Sequence, residues 1–193
     1  MEPHNSPTAS AVDSSPTRYD LLTLVLHWLT AILVLALFVL AEVWDDLPRG
    51  TPTRKLLQSL HISFGILFAA ILTARIVWRV AAGRRLPRVD SGLRGLAGSC
   101  VHILLYGLMA AQVVLGFQLR WAQSEPFSFF GLFDVPTLID IGHDQASAIS
   151  DLHYKVAWAI VILAGCHAMA GLVHHYWWKD GVLRRMLPAR RDD

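Results

Sequence analysis

Hydrophobic positions along the chain fall into four long blocks separated by polar segments. Leu21–Ala41 and Leu56–Ala74 contain no charged residue, and the second block continues past Arg75 and Arg79 to Ala82. Gly95–Leu119 and Val156–Trp178 are the third and fourth uncharged runs. About 20 mostly apolar residues suffice for a helix to cross a bilayer. One such run could be the core helix of a soluble protein, but four leave too little polar surface. In lipid each backbone N–H and C=O needs a partner within its own segment, so all four are expected as helices. The alternating ten-residue strands of a barrel are absent. The expected fold is therefore all-α, a transmembrane four-helix bundle in contact with membrane lipid.

Composition agrees. Apolar types make up 54% of the 193 residues and charged types 17%, against about 25% charged in an ordinary soluble domain. This excludes a disordered chain and a coiled coil. The net charge of +2 gives no general attraction to phosphate, so no nucleic-acid partner is expected. Two cysteines, Cys100 and Cys166, cannot form a disulfide framework, and both read as packing residues.

Charge placement predicts orientation. Arg84, Arg85, Arg88 and Arg94 lie between spans two and three, and Lys179, Arg184, Arg185, Arg190 and Arg191 follow span four. The other two loops mix their few cations with many acids. By the positive-inside rule both termini and the middle loop are cytoplasmic. Residues 1–17, rich in Ser, Pro and Thr, read as a disordered tail, and residues 189–193 as a short charged one. The first segment lacks the pattern of a cleaved signal, so span one is expected to be retained. Residues 120–151 form the one long loop, with Phe127, Phe129, Phe130, Leu132 and Phe133 on the outer membrane interface.

Nine histidines carry the chemistry. An ionisable residue within a span is a functional-site hypothesis by default. His27 lies in the inner half of span one, His61 near the outer end of span two, His102 in the inner half of span three. Span four offers His153 at its outer end, then His167, then His174 and His175. His153 and His167 are 14 residues apart, which puts them within roughly 40° of one face and about 21 Å apart along the axis. His61 can meet His153, and His27 can meet His167, although by depth His174 also suits His27 and His102 is a rival ligand. Two imidazoles from facing helices suit the axial positions of a haem iron. Zinc usually takes three or four ligands at one locus. No Cys-x-x-Cys-His occurs, so attachment would be non-covalent.

Small residues accompany the histidines: Gly65 one turn after His61, and Ala164, Gly165, Ala168 and Gly171 around His167. They would let a macrocycle approach, or simply let helices pack. Arg75 and Arg79 could pair with haem propionates, or snorkel to the cytoplasmic surface.

His27-Trp28, His61-Ile62-Ser63-Phe64-Gly65, Leu152-His153, Gly165-Cys166-His167-Ala168 and the closing His174-His175-Tyr176-Trp177-Trp178-Lys179-Asp180 together resemble the bacterial cytochrome b561 family. The loop Phe129-Phe130-Gly131-Leu132 with Pro136 is similar too. The likeness covers about Arg18 to Pro188. It implies an inner-membrane protein with two b-type haems, His27 and His167 holding the inner one, His61 and His153 the outer. It also implies that span three supplies no ligand, which demotes His102. Small members of this family resemble a superoxide oxidase that passes electrons from superoxide to ubiquinone.

On that reading Lys155, beside His153, could attract anionic superoxide, unless it is an interfacial lysine with no task. His174 could hydrogen-bond a quinone carbonyl or relay its proton. A different class of function is a haem b membrane-anchor subunit, taking electrons from a partner dehydrogenase or hydrogenase as protein donor. Short loops leave little docking surface for such a partner. A zinc or proton transporter is a third class, and predicts a colourless protein. A homo-oligomer is compatible with the sequence.

Overall fold

The computed structural model describes residues 18–84, 86 and 92–188. The two expected tails, and Arg85, Arg88, Arg190 and Arg191 of the charge argument, lie outside the described residues. Four long helices dominate: α1 (Leu21–Asp45), α2 (Pro52–Ala81), α3 (Gly92–Gln123) and α4 (Ala146–Val173). All four elements are long and apolar enough to cross a membrane. The all-α transmembrane four-helix bundle expected from the hydrophobic blocks is the observed architecture.

Each helix begins for a local reason. Asp20 caps α1, accepting from the Thr23 N–H at 2.9 Å and the Thr23 hydroxyl at 2.8 Å, which satisfies N–H groups that the first turn leaves unpaired. Thr51 caps α2 and Pro52 opens it, where a missing N–H costs nothing. The guanidinium of Arg54 then donates to the carbonyls of Trp44 and Leu47, both at 2.7 Å. It thereby closes the C-terminal end of α1 and sets the sharp α1–α2 connection.

Helix α1 packs along α2, and α3 along α4. Contacts between the two pairs are sparser, and α4 scarcely reaches backbone contact with α2. At mid-depth Leu33 of α1, Phe68 and Leu72 of α2, Met109 of α3 and Ile160 of α4 form the core. Ile160 stands midway between His153 and His167 in sequence, so this core separates two histidine levels. Outward-facing residues such as Ile32, Ile103 and Ile162 are more than half exposed. A surface this apolar is matched to lipid.

The ends of α1 and α2 and the segment that follows α4 meet at one end of the bundle. The Trp28 indole donates to the Met186 carbonyl at 2.9 Å, and the Trp78 indole to the Asp20 carboxylate at 3.0 Å.

The structure departs from the hydrophobic blocks in three places. Helix α3 runs on past Arg120 to Gln123, and α4 starts ten residues before Val156. Backbone hydrogen bonds need no apolar side chain, so helices continue into the interface. Secondly, the α-helix ends at Val173, and His174–Trp178 form a π-helical turn.

Thirdly, the long loop contains a hairpin, β1 (Phe127–Phe129) with β2 (Phe133–Val135), paired Phe127 to Val135 and Phe129 to Phe133. Its turn needs Phe130 and Gly131 at φ 49° and 71°, the left-handed pair that matches strand twist. Ser63 of α2, fully buried, pins it: its hydroxyl accepts from the Phe130 N–H at 2.9 Å and donates to the Ser128 carbonyl at 3.3 Å.

Candidate functional site

Two histidine pairs cross the bundle. His61 of α2 and His153 of α4 have ring centres 6.4 Å apart, and so do His27 of α1 and His167 of α4. In each pair the rings are steeply inclined, by 69° and 75° respectively. A metal–nitrogen bond of about 2.0 Å at each ring, plus the roughly 1.1 Å from that nitrogen to its ring centre, spans about 6.2 Å across an iron. Both separations fit a single iron held between two imidazoles. Helix spacing matched His61 with His153 and left the partner of His27 open between His167 and His174, with His102 a rival ligand; in the structure both His27 and His102 stand beside His167.

The His61–His153 pair has a free ring nitrogen suited to a metal. Nδ1 of His61 lies 2.9 Å from the carbonyl oxygen of Leu37. A carbonyl can only accept, so Nδ1 holds the proton and Nε2 keeps its lone pair, the arrangement typical of a metal-binding histidine. The Trp44 ring meets His61 edge-on at 4.7 Å. Among the described residues the buried Nδ1 of His153 has no hydrogen-bond partner. Its ring lies against Gly116 of α3, where an added Cβ would stand 3.4 Å from Cε1. A Cβ on Gly65, Gly165 or Gly171 would meet nothing within 4 Å, which agrees with room beside the histidines.

The His27–His167 pair differs. Nη2 of Arg75 is 2.9 Å from Nδ1 of His27, and its guanidinium also lies over the Tyr106 ring at 5.2 Å. A guanidinium can only donate, so in this arrangement the His27 proton sits on Nε2. For Nε2 to bind iron, Arg75 must turn from Nδ1. His102 brings a third imidazole to this level, 5.1 Å from the His167 ring. Arg79 instead reaches the bundle end: it donates to the Arg84 carbonyl at 3.1 Å and covers the Tyr19 ring.

His174 stands in the π-helical turn, hydrogen-bonded to the Asp180 carboxylate and edge-on to Trp178. Burial opposes the Asp180 charge, but hydrogen bonds from His174 and the Val182 N–H prevail and hold its carboxyl below the usual range. Lys155 is exposed and bonded to Asp151 at 2.7 Å. Cys100 and Cys166 are free thiols. Among the described residues no group of three or more His, Cys, Asp or Glu could hold a metal ion, so the three- or four-ligand set of zinc is not assembled there.

Sequence reasoning missed several supporting residues. The Leu37 carbonyl carries no side-chain signal. Asp180, six residues from His174, lies outside helical spacing. Gly116 could have been found, since it stands 14 residues from His102 and so one histidine level higher on α3.

Residues 18–189 match the prokaryotic cytochrome b561 family. The chain is similar to "Cytochrome b561 homolog 2" of Escherichia coli (strain K12), 36% identical over 182 residues that cover 93% of this chain and 96% of that protein. "Cytochrome b561 homolog 1" of the same strain is 28% identical over 176 residues, 90% of this chain and 99% of the relative. "Probable superoxide oxidase CybB" of Yersinia pestis is also 28% identical over 176 residues, 90% and 98% of the two chains. Because the family match begins ahead of the first cap and runs to the end of the described chain, the protein belongs to the prokaryotic cytochrome b561 family, multi-pass bacterial inner-membrane proteins that carry haem b and transfer electrons.

Proposed function

We propose that this chain is a two-haem superoxide:ubiquinone oxidoreductase with both termini cytoplasmic. The observation that carries the reading is the pair of 6.4 Å histidine separations that share one helix, α4. His61 and His153 hold the outer haem, His27 and His167 the inner. When bound, haem b supplies reversible one-electron chemistry. The similarity to a relative named as a superoxide oxidase supports the choice of donor.

The protein's own groups have defined tasks. The Leu37 carbonyl orients His61 through Nδ1–H, and the mid-bundle core keeps water from the space between the levels. With haem bound, Arg75 would turn from Nδ1 of His27 to pair with a propionate, leaving Nδ1 free to carry the proton. Lys155 draws superoxide toward the outer end. His174, steadied by Asp180, hydrogen-bonds a quinone carbonyl and passes it a proton. Two superoxide anions each lose one electron and leave as dioxygen, while one quinone gains two electrons and two protons.

Haem-to-protein ratio with a reduced-minus-oxidised spectrum tests the ligand set. The expected ratio is two, falling to one in His61→Ala, His153→Ala, His27→Ala or His167→Ala and unchanged in His102→Ala. Retention of both haems in His153→Ala breaks the pairing. Purified protein should also reduce a ubiquinone analogue with superoxide alone. Turnover only with an added dehydrogenase or hydrogenase partner makes the chain an anchor subunit instead.

A further inference from the structure

We propose that the end of α4 binds the phosphate of an anionic phospholipid headgroup. A cleft of about 190 Å³ opens there, lined by His175, Tyr176, Lys179, Gly181 and Arg184. Two of the five, Lys179 and Arg184, are cationic, and among the described residues no carboxylate lines the cleft.

The turn that shapes the cleft is built, not frayed. The Asp180 N–H returns to the His174 carbonyl at 3.3 Å, and the Asp180 carboxylate takes the Val182 N–H at 3.1 Å besides its bond to His174. These bonds hold Lys179 at φ 53° and Gly181 at φ 79°. Gly181 contributes no side chain to the floor, and a Cβ there would meet nothing within 4 Å. The Arg185 N–H then bonds the Gly181 carbonyl at 3.2 Å and starts the turn Leu183–Met186, which carries Arg184 to the rim.

Charge decides the class of ligand. Asp180, the nearest carboxylate in sequence, is spent on His174 and Val182. Neither Lys179 nor Arg184 forms an ion pair among the described residues. Two uncompensated cations favour a phosphate over a neutral carbonyl such as that of a quinone. Position decides the source. Tyr176 and Trp177 are 73% and 82% exposed at the end of the apolar span. Aromatics at that level sit among lipid headgroups, where basic residues attract anionic lipid. A lipid phosphate therefore reaches the cleft without leaving the bilayer.

The test uses the haem-loaded full chain, delipidated in detergent and offered phosphatidylglycerol or phosphatidylcholine, with bound lipid read by native mass spectrometry. Wild type should retain phosphatidylglycerol preferentially. The Lys179→Gln/Arg184→Gln double variant, with its haem spectrum unchanged as the check on folding, should lose about fivefold in affinity per charge removed. A Lys179→Arg variant should keep the preference. Inorganic phosphate should not displace the lipid at concentrations that leave the detergent micelle intact. Equal retention by wild type and the double variant overturns the site. Displacement by inorganic phosphate makes it a soluble-anion site, and displacement by a ubiquinone analogue makes it a quinone site. Either result overturns the lipid assignment.

Discussion

Gly116 of α3 lies so close to His153 of α4 that an added Cβ would stand 3.4 Å from Cε1 and 3.9 Å from Nδ1. Helix α3 gives no ligand on the proposed reading, yet it sets where the His153 ring can stand. Gly116→Ala should shift the ring by a few tenths of an ångström and alter the outer-haem spectrum slightly. Gly116→Val adds two further carbons to this face, an overpacking that costs about 1–3 kcal/mol. The expected result is a haem-to-protein ratio falling from two toward one, with the inner-haem spectrum kept. A full complement of both haems in Gly116→Val contradicts this packing role.

Ser63 holds the hairpin with a single buried hydroxyl. Ser63→Ala leaves the Phe130 N–H and the Ser128 carbonyl without their partner. An unsatisfied buried backbone group costs about 1–3 kcal/mol. Thermal unfolding in detergent should move to lower temperature, and hydrogen exchange at Phe130 should quicken more than at α2 amides. Unchanged exchange at Phe130 shows that Phe64 and Phe127 hold the hairpin by packing alone.

Lys155 and Asp151 form an exposed pair at 2.7 Å, so part of the lysine charge is cancelled beside its source. If Lys155 steers superoxide, Asp151→Asn should raise the rate of haem reduction and Lys155→Gln should lower it. Exposed pairs are screened within about 10 Å at 0.1 M salt, so both effects should shrink as salt rises. Stopped-flow reduction at two ionic strengths measures this. Equal rates in the two variants show that the pair does not steer.

Asp20 supplies the acid sensitivity of the bundle end. Burial opposes its charge, but hydrogen bonds from the Thr23 N–H and hydroxyl, the Arg84 N–H and the Trp78 indole hold its carboxyl well below the usual range. A group depressed in the folded state contributes stability above its unfolded pKa, about 3.9, and loses it as pH falls toward the folded value. The wild type should therefore lose stability below about pH 4 more steeply than Asp20→Asn, which keeps a cap without the charge. At pH 7 Asp20→Ala should cost about 1 kcal/mol or more from the lost cap. Parallel unfolding curves for wild type and Asp20→Asn from pH 7 to pH 3 exclude this role.

The amino-acid sequence alone determined the four spans, because a block of about 20 uncharged residues has one low-energy state in lipid. It also determined the two histidine levels of α4, because helical rise and rotation are constant along a chain. That is why His61 could be matched with His153 from spacing, whereas the choice of His167 over His174 as the partner of His27, and the demotion of His102, came only from the family resemblance. The tertiary structure alone decided what surrounds them. The carbonyl of Leu37, the approach of Gly116, the guanidinium of Arg75 on His27 and the bond from His174 to Asp180 all depend on helix rotation, crossing and turn geometry. The hairpin at Phe127–Val135 was equally illegible, since its left-handed Phe130 is stabilised by Ser63, 67 residues away. Local composition encodes depth and helicity, whereas side-chain partners arise only where separate segments converge.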